Sequence, residues 1–380
     1  MTRTTVRRAP TVAVLVLGGC GFAGYNLLLA AVPVLASRDG GRLGAGLATA
    51  VFMTVTCLVQ AALPRVLAIA PPHVLLGAGL ALLGAPAALY VLEPSLAVLL
   101  LVTAVRGAGF GVVTVVSAAL VAAYAPPHRR GAALGVYGLA SSLTGIVAPP
   151  AAVLMLAGES APTAYWLGAL LPLAPLGLLL VLRRAPVTVA VRPAAGSRSP
   201  WRNPGLRMPA LLFLPAAMAY GGLYTFLPLW SAEAATGLLT FGAGIAVGRF
   251  AGGRLADAVG PTALVPPMLA TVLAGVIGIS AFPTGPGLAV SALVAGLGFG
   301  GTATASLVAV MSEVDADAYA LASAVWNLTF DLGIVVGGLG LGVVAQVAGY
   351  RAAFWVAAAG IACALVAATL RAARRTPSRA

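Results

Sequence analysis

Twelve apolar runs, each about 20 residues long and separated by short breaks, leave this 380-residue chain one solvent in which to fold. They fall at 11–35, 44–63, 74–92, 96–123, 132–156, 163–182, 209–231, 236–252, 263–282, 287–311, 320–346 and 352–370. Hydrocarbon cannot hydrogen-bond a bare backbone, so a spanning segment must satisfy its own amides as a helix or close into a barrel. The runs are continuous rather than alternating, which is the helical pattern. Nine carboxylates and 8% charged residues are too few to cover a water-soluble globule of this length, since soluble domains carry about 25%. The expected fold class is all-α and integral to a membrane, with twelve transmembrane helices.

The basic residues are 22 arginines and no lysine. In a soluble protein such a surplus would point to nucleic acid; here its placement excludes that partner. Seventeen arginines lie in the breaks that twelve spans put on the same side as both termini. Arg38, Arg42 and Arg351 lie on the other side, and Arg106 and Arg249 fall within spans. Positive charge collects on the cytoplasmic side, so the reading is a multi-pass cell-membrane protein with both termini cytoplasmic. Arg3, Arg7 and Arg8 before the first run imitate a signal peptide, but a run of about 25 residues is too long for one. It reads as a retained first span.

The longest polar break, Arg183 to Arg207, contains Pro186, Pro193, Gly196, Pro200 and Pro204. It reads as a flexible cytoplasmic linker, 183–207, between halves 1–182 and 208–380. Its six arginines suit anionic headgroups of membrane lipids. The halves are related in sequence. Gly107, Gly109 and Gly111 return as Gly296, Gly298 and Gly300, a shift of 189 residues that also carries Arg65 onto Arg254. Two landmarks at one spacing imply two pseudo-symmetric six-helix bundles, a common way to build a transporter with its site between repeats.

The stretch Gly253-Arg254-Leu255-Ala256-Asp257-Ala258-Val259-Gly260 has the form G-x-L-A-D-x-x-G. With two six-helix halves and a central linker, it resembles the major facilitator superfamily, whose signature loop of this form joins the second and third helices of a half. The resemblance covers essentially the whole chain. It implies a gating loop made of Gly253, Arg254, Asp257 and Gly260 that clasps the start of the fifth helix near Gly131, with Arg129 and Arg130 alongside. The first half departs from the pattern: Ala68 stands where the second half has Asp257. Arg65 is expected to substitute by pairing with Glu313, Asp315 or Asp317 in the break after the tenth span. The alternative for Asp257 is a solvated loop carboxylate.

Two charged residues lie deep in spans. An intramembrane arginine costs at least ~2.5–3.5 kcal/mol, so Arg106 should face a wet cavity or a partner. Its place resembles that of the fourth-helix arginine of the family's proton-coupled exporters; the alternative is a structural ion pair or a hydrogen bond to helix carbonyls. Asp331 lies about eleven residues into the eleventh span, with Ser323 and Asn327 before it at four-residue intervals and therefore on one face. Burial disfavours the charged form of a carboxylate, so an acid there can take up and release protons. Proton coupling is accordingly assigned to Asp331 and Arg106, against a packing role for Asp331. The fifth span resembles the family's antiporter signature in degraded form, with Gly135, Thr144, Ala148, Pro149 and Ala152 in the series.

In the family, the first, fourth, seventh and tenth helices line the cavity, which implies Tyr25, Asn26, Tyr220, Tyr224 and Trp230 as substrate groups, with Asn327 beside them. Interfacial anchoring is the ordinary alternative for Tyr and Trp. The first span has no acid, which favours neutral or anionic substrates over lipophilic cations. Cys20, Cys57 and Cys363 lie singly in spans, and His73 and His128 stand alone in breaks. That spacing suggests neither disulfides nor a metal site, no cofactor motif is visible, and no paired carboxylates support an enzyme. The function expected is proton-coupled efflux of a small organic compound by alternating access, carried out by a monomer. The alternatives are a proton-coupled uptake symporter and a non-transporting receptor.

Overall fold

A computed structural model describes residues 3–126, 130–158, 160–187, 204–314 and 319–375, and its regular structure there is helical. The elements are α1 (Arg3–Leu67), α2 (Pro72–Gly84), α3 (Leu96–Tyr124), α4 (Arg130–Ala157), α5 (Ala161–Leu173), α6 (Leu179–Arg183), α7 (Pro204–Trp230), α8 (Ala234–Val259), α9 (Pro261–Ala281), α10 (Gly285–Met311) and α11 (Tyr319–Arg375). Ten stretches among the described residues are long and apolar enough to cross a membrane. Two of them, 59 and 50 residues long, are each twice the length of a crossing. The twelve spans are thus present, but two pairs share one helix.

The joints are single glycines. Gly41 interrupts α1 at φ 57°, ψ −153°, and Gly349 interrupts α11 at φ 88°, ψ 168°. Both are conformations that residues with a Cβ rarely adopt. The breaks expected at 36–43 and 347–351 are therefore reduced to one non-helical residue each. Two other spans change register instead. Ala85–Leu92 and Ala174–Leu178 are 3₁₀ segments, each with proline at its second position, Pro86 and Pro175. Proline lacks the N–H that an α-turn needs.

The helices form two compact units, one of Met1–Asp39 with Val51–Pro193 and one of Gly40–Ala50 with Ala194–Ala380. Residues 40–50 belong to the second unit through polar contacts. Arg42 Nη1 donates to the Ala345 carbonyl at 2.9 Å, its guanidinium lies 4.7 Å from the Tyr350 ring centroid, and the Thr49 and Thr225 hydroxyls meet at 2.8 Å.

The repeated glycines do the same work in both units. A Cβ on Gly107 would lie 2.4 Å from the Phe52 carbonyl oxygen, one on Gly111 2.9 Å from that of Thr56, and one on Gly109 2.6 Å from that of Gly79. In the second unit Gly296 faces the Phe241 carbonyl at 2.1 Å, Gly300 that of Ile245 at 2.3 Å, and Gly298 that of Met268 at 2.8 Å. Every contact partner is displaced by the same 189 residues. The outer two glycines let α3 touch α1 and α10 touch α8, and the middle one turns to α2 or α9. Close backbone approach of this kind is how helices gain dispersion energy where lipid removes the hydrophobic drive. Outside these contacts, large apolar side chains such as Leu58, Leu101, Leu154 and Phe250 are exposed, as a lipid-facing surface requires.

Candidate functional site

In the first unit Arg106 is only 2% exposed. Its Nε donates to the Leu83 carbonyl at 3.1 Å, and Nη1 lies 3.5 Å from the Tyr90 hydroxyl. That hydroxyl meets Thr103 Oγ1 at 2.8 Å, and the rings of Phe52 and Tyr90 lie 5.6 and 5.4 Å from the guanidinium carbon. Leu83 sits one residue before the end of α2. In the 3₁₀ register that follows, its carbonyl would take its hydrogen bond from residue 86, which is Pro86 and has no N–H. Arg106 supplies the missing donor. The second unit has Gly275 and Ala295 at the equivalents of Pro86 and Arg106, and α9 is uninterrupted there, with Gly275 packed against Ala295. An arginine occurs where the helix breaks, and an alanine where it does not.

Arg106 is thus a carbonyl-capping group, with its Nη2 buried and unpartnered. Hydrogen bonds to charged groups contribute about 1.5–3 kcal/mol. Arg106→Leu should lose stability of that order, and adding Pro86→Ala, which returns an amide to position 86, should recover part of it. Thermal unfolding of the purified variants measures both; an Arg106→Leu protein as stable as the parent would exclude the capping role.

Tyr25 and Asn26 are both buried in the first unit. Tyr25 stacks on Phe110 with centroids 3.9 Å apart, and Phe52 lies 5.4 Å away. Asn26 Nδ2 donates to Thr144 Oγ1 at 3.0 Å, which ties α1 to α4. In the second unit Tyr220 and Tyr224, one turn apart on α7, lie 4.6 Å apart by centroid and share an aromatic cluster with Phe241 and Phe299. Tyr220 also approaches Phe330 of α11 at 5.4 Å. Trp230 is elsewhere. It ends α7, ten residues or about 15 Å from Tyr220, and stacks on Phe354 with Tyr350 nearby. Its surroundings are those of an aromatic anchor at a helix end.

Asp331 is 7% exposed and follows Phe330 in α11. One face of α11 does connect Ser323 and Asn327, since Asn327 Nδ2 donates to the Ser323 carbonyl at 2.8 Å and lies 3.2 Å from its hydroxyl. Asn327 itself is exposed, whereas Asp331 is buried.

The signature stretch Gly253–Gly260 is not a loop. α8 continues through Val259, and only Gly260, at φ 86°, ψ 142°, leaves the helix before Pro261 opens α9. Arg254 lies over the Phe250 ring at 3.7 Å, and Asp257 is exposed. Arg65 is likewise exposed in the last turn of α1. Residues 127–129, including His128 and Arg129, and Asp315 and Asp317 lie outside the described residues.

Arg249 is the second arginine within a span. It lies in α8, three residues before the end of the span 236–252, and is exposed.

The family model described as Major Facilitator Superfamily matches residues 14–337 and, separately, 231–380. Among solved structures, a bacterial homologue of the human lysosomal transporter Spinster, inward-facing and unoccupied, is similar with a TM-score of 0.75 at 14% identity, covering 97% of this chain and 95% of that one. The peptide transporter POT is similar with a TM-score of 0.76 at 13% identity, covering 98% of each chain. The nucleoside transporter NupG gives 0.70 at 13% identity, covering 95% of this chain and 99% of that one. No curated protein matches by sequence. With a family match spanning both halves and the same fold across their whole length, the chain belongs to the major facilitator superfamily.

Proposed function

We propose that this chain, by its family a secondary transporter and not an enzyme, exports a small organic compound in exchange for protons. The observation that carries this reading is Asp331, a buried carboxylate inside a membrane-spanning helix. A carboxylate held at that depth is expensive, and such residues mark proton or ion pathways. In this scheme the two halves alternate access to a midplane site, and protonation of Asp331 changes which access is favoured. Arg106, buried within the first unit and bound to the Leu83 carbonyl, is assigned a part in the same coupling. Tyr220 and Tyr224 supply substrate surface, together with the exposed amide of Asn327. The helical end of α8 with its turn at Gly260, and Arg65 at the equivalent place in the first half, serve as gating elements. The protein works as a monomer in the cell membrane with both termini cytoplasmic, as its arginine distribution favours.

Direction and coupling are tested together in membrane vesicles. A compound identified by thermal stabilisation of the purified protein should accumulate in inside-out vesicles when their lumen is acidic. That accumulation should collapse when a protonophore removes the gradient. Accumulation in right-side-out vesicles with an acidic exterior would instead establish uptake symport.

A further inference from the structure

The end of the first unit where α1, α3 and α6 stop and α2 begins carries a cleft of about 300 Å³. That is within the size range of ligand sites, roughly 300–1,000 Å³. Its wall is apolar, with Leu67 and Ile69 at the end of α1, Leu120 of α3, Leu182 of α6 and Pro186 just beyond. Tyr124 lines one side, and its hydroxyl donates to the Ala185 carbonyl at 2.8 Å, which fixes the chain after α6 to α3. Membrane helices end where hydrocarbon meets water, so the cleft opens at headgroup depth. Ile69 is 86% exposed there and Val74 beside it 53%, as suits a surface that lipid covers.

The rim is positive and nothing offsets it. Arg183 and Arg184 stand between the lining residues Leu182 and Pro186, and Arg65 two residues before Leu67; all three are exposed. The segments 61–75, 116–126 and 176–187 that build the cleft contain no Asp or Glu. Among the described residues, none of the three arginines forms a salt bridge. Half-buried His73 also lines the cleft and brings a ring N–H to it.

The second unit shows what is missing. At the 189-residue shift Arg65 falls on Arg254, and Ala68, which lines the cleft, falls on Asp257. The second unit thus has a carboxylate to set against its arginine at this turn, and the first has only the arginine. An acid at position 68 would repel an anion, whereas alanine admits one. We propose that the cleft binds an anionic phospholipid of the bilayer, with an acyl chain against the apolar wall and the phosphate among Arg65, Arg183 and Arg184. The lipid supplies the negative charge that the first half lacks. An apolar wall under a cationic rim, at the depth of lipid phosphates, fits an amphiphile with a net negative headgroup; a zwitterionic lipid brings its own cation to the rim. The site goes beyond the transport reading and depends on neither its direction nor its coupling.

Native mass spectrometry of the purified full-length protein tests the proposal, with dioleoyl phosphatidylglycerol and dioleoyl phosphatidylcholine as competing probes. One phosphatidylglycerol should be held at least tenfold more tightly than phosphatidylcholine. Arg183→Gln combined with Arg184→Gln should weaken it at least tenfold, since each arginine at an anionic lipid surface contributes about 1 kcal/mol, or about fivefold. Ala70→Phe, which fills the cleft from the turn between α1 and α2 and leaves every charge in place, should weaken it at least threefold. Replacing Arg192, Arg198 and Arg202 of the linker with glutamine should leave it within twofold of the parent. Glycerophosphate, a headgroup without chains, should not displace the lipid. Equal retention of the two lipids would overturn the proposal. So would parental binding in a folded Ala70→Phe or Arg183/Arg184 variant, loss of the preference in the linker variant, or displacement by glycerophosphate.

Discussion

Replacing Gly296 with leucine is expected to remove folded protein from the membrane, and replacing it with alanine to leave a protein with a markedly lower melting temperature. A Cβ at this position would lie 2.1 Å from the Phe241 carbonyl oxygen and 3.0 Å from the Ile245 amide nitrogen. Those atoms are backbone of α8 and cannot rotate away as a side chain would. Overpacking a tight contact costs about 1–3 kcal/mol, and here the whole α8–α10 contact must open. Gly107, the equivalent residue of the first unit, faces the Phe52 carbonyl at 2.4 Å and should respond in the same direction. Gly253 is the control: nothing lies within 4 Å of an added Cβ, and alanine is favoured over glycine in a helix by about 1 kcal/mol. Gly253→Ala should therefore be neutral or slightly stabilising. Size-exclusion profiles and thermal unfolding of the three variants decide the matter; a Gly296→Ala protein as stable as the parent would mean that α8 and α10 do not meet at this glycine.

Asp331→Asn should abolish accumulation driven by a pH gradient while leaving exchange of labelled for unlabelled substrate in place. Asparagine keeps the shape and most hydrogen bonds of the acid but cannot exchange a proton. If Asp331 carries the coupling proton, the variant still binds substrate and still alternates, but the gradient no longer biases the cycle. A loss of at least tenfold in gradient-driven accumulation, with exchange reduced less than threefold, is the expected pattern in proteoliposomes. Loss of both activities in a folded variant would assign Asp331 to packing or substrate binding. Full retention of gradient-driven accumulation would remove it from the mechanism.

The membrane class, the number of spans and the repeat are legible in the sequence because hydrocarbon imposes a simple rule. Every crossing must be long, apolar and helical, and each helix leaves that record in its own residues. The signature stretch at Gly253–Gly260 was equally visible as a pattern, but its conformation was not. Two adjacent glycines and an aspartate suggest a turn, yet α8 runs on to Val259. The helix already formed through the span propagates at one backbone hydrogen bond per added residue, which outweighs the weak helix propensity of a single glycine. The joints at Gly41 and Gly349 were also hidden, because a polar break looks the same whether the chain loops there or bends at one residue.

Arg106 shows most clearly where sequence reading stops. Its charge within a span marked it for a partner, and it has one in the Leu83 carbonyl. Which partner it has depends on the 3₁₀ register of a different segment, set by Pro86, and on α3 lying close enough for Nε to reach Leu83. Trp230 and Tyr220 likewise share a helix and a residue class, but the first stacks on Phe354 and the second joins a separate aromatic cluster with Phe241 and Phe299. The sequence by itself determined that this chain is a pair of six-span membrane bundles with a few charged residues out of place. Only the tertiary structure decided what those residues meet, since a buried charge takes its role from groups that are distant in sequence and brought near by packing.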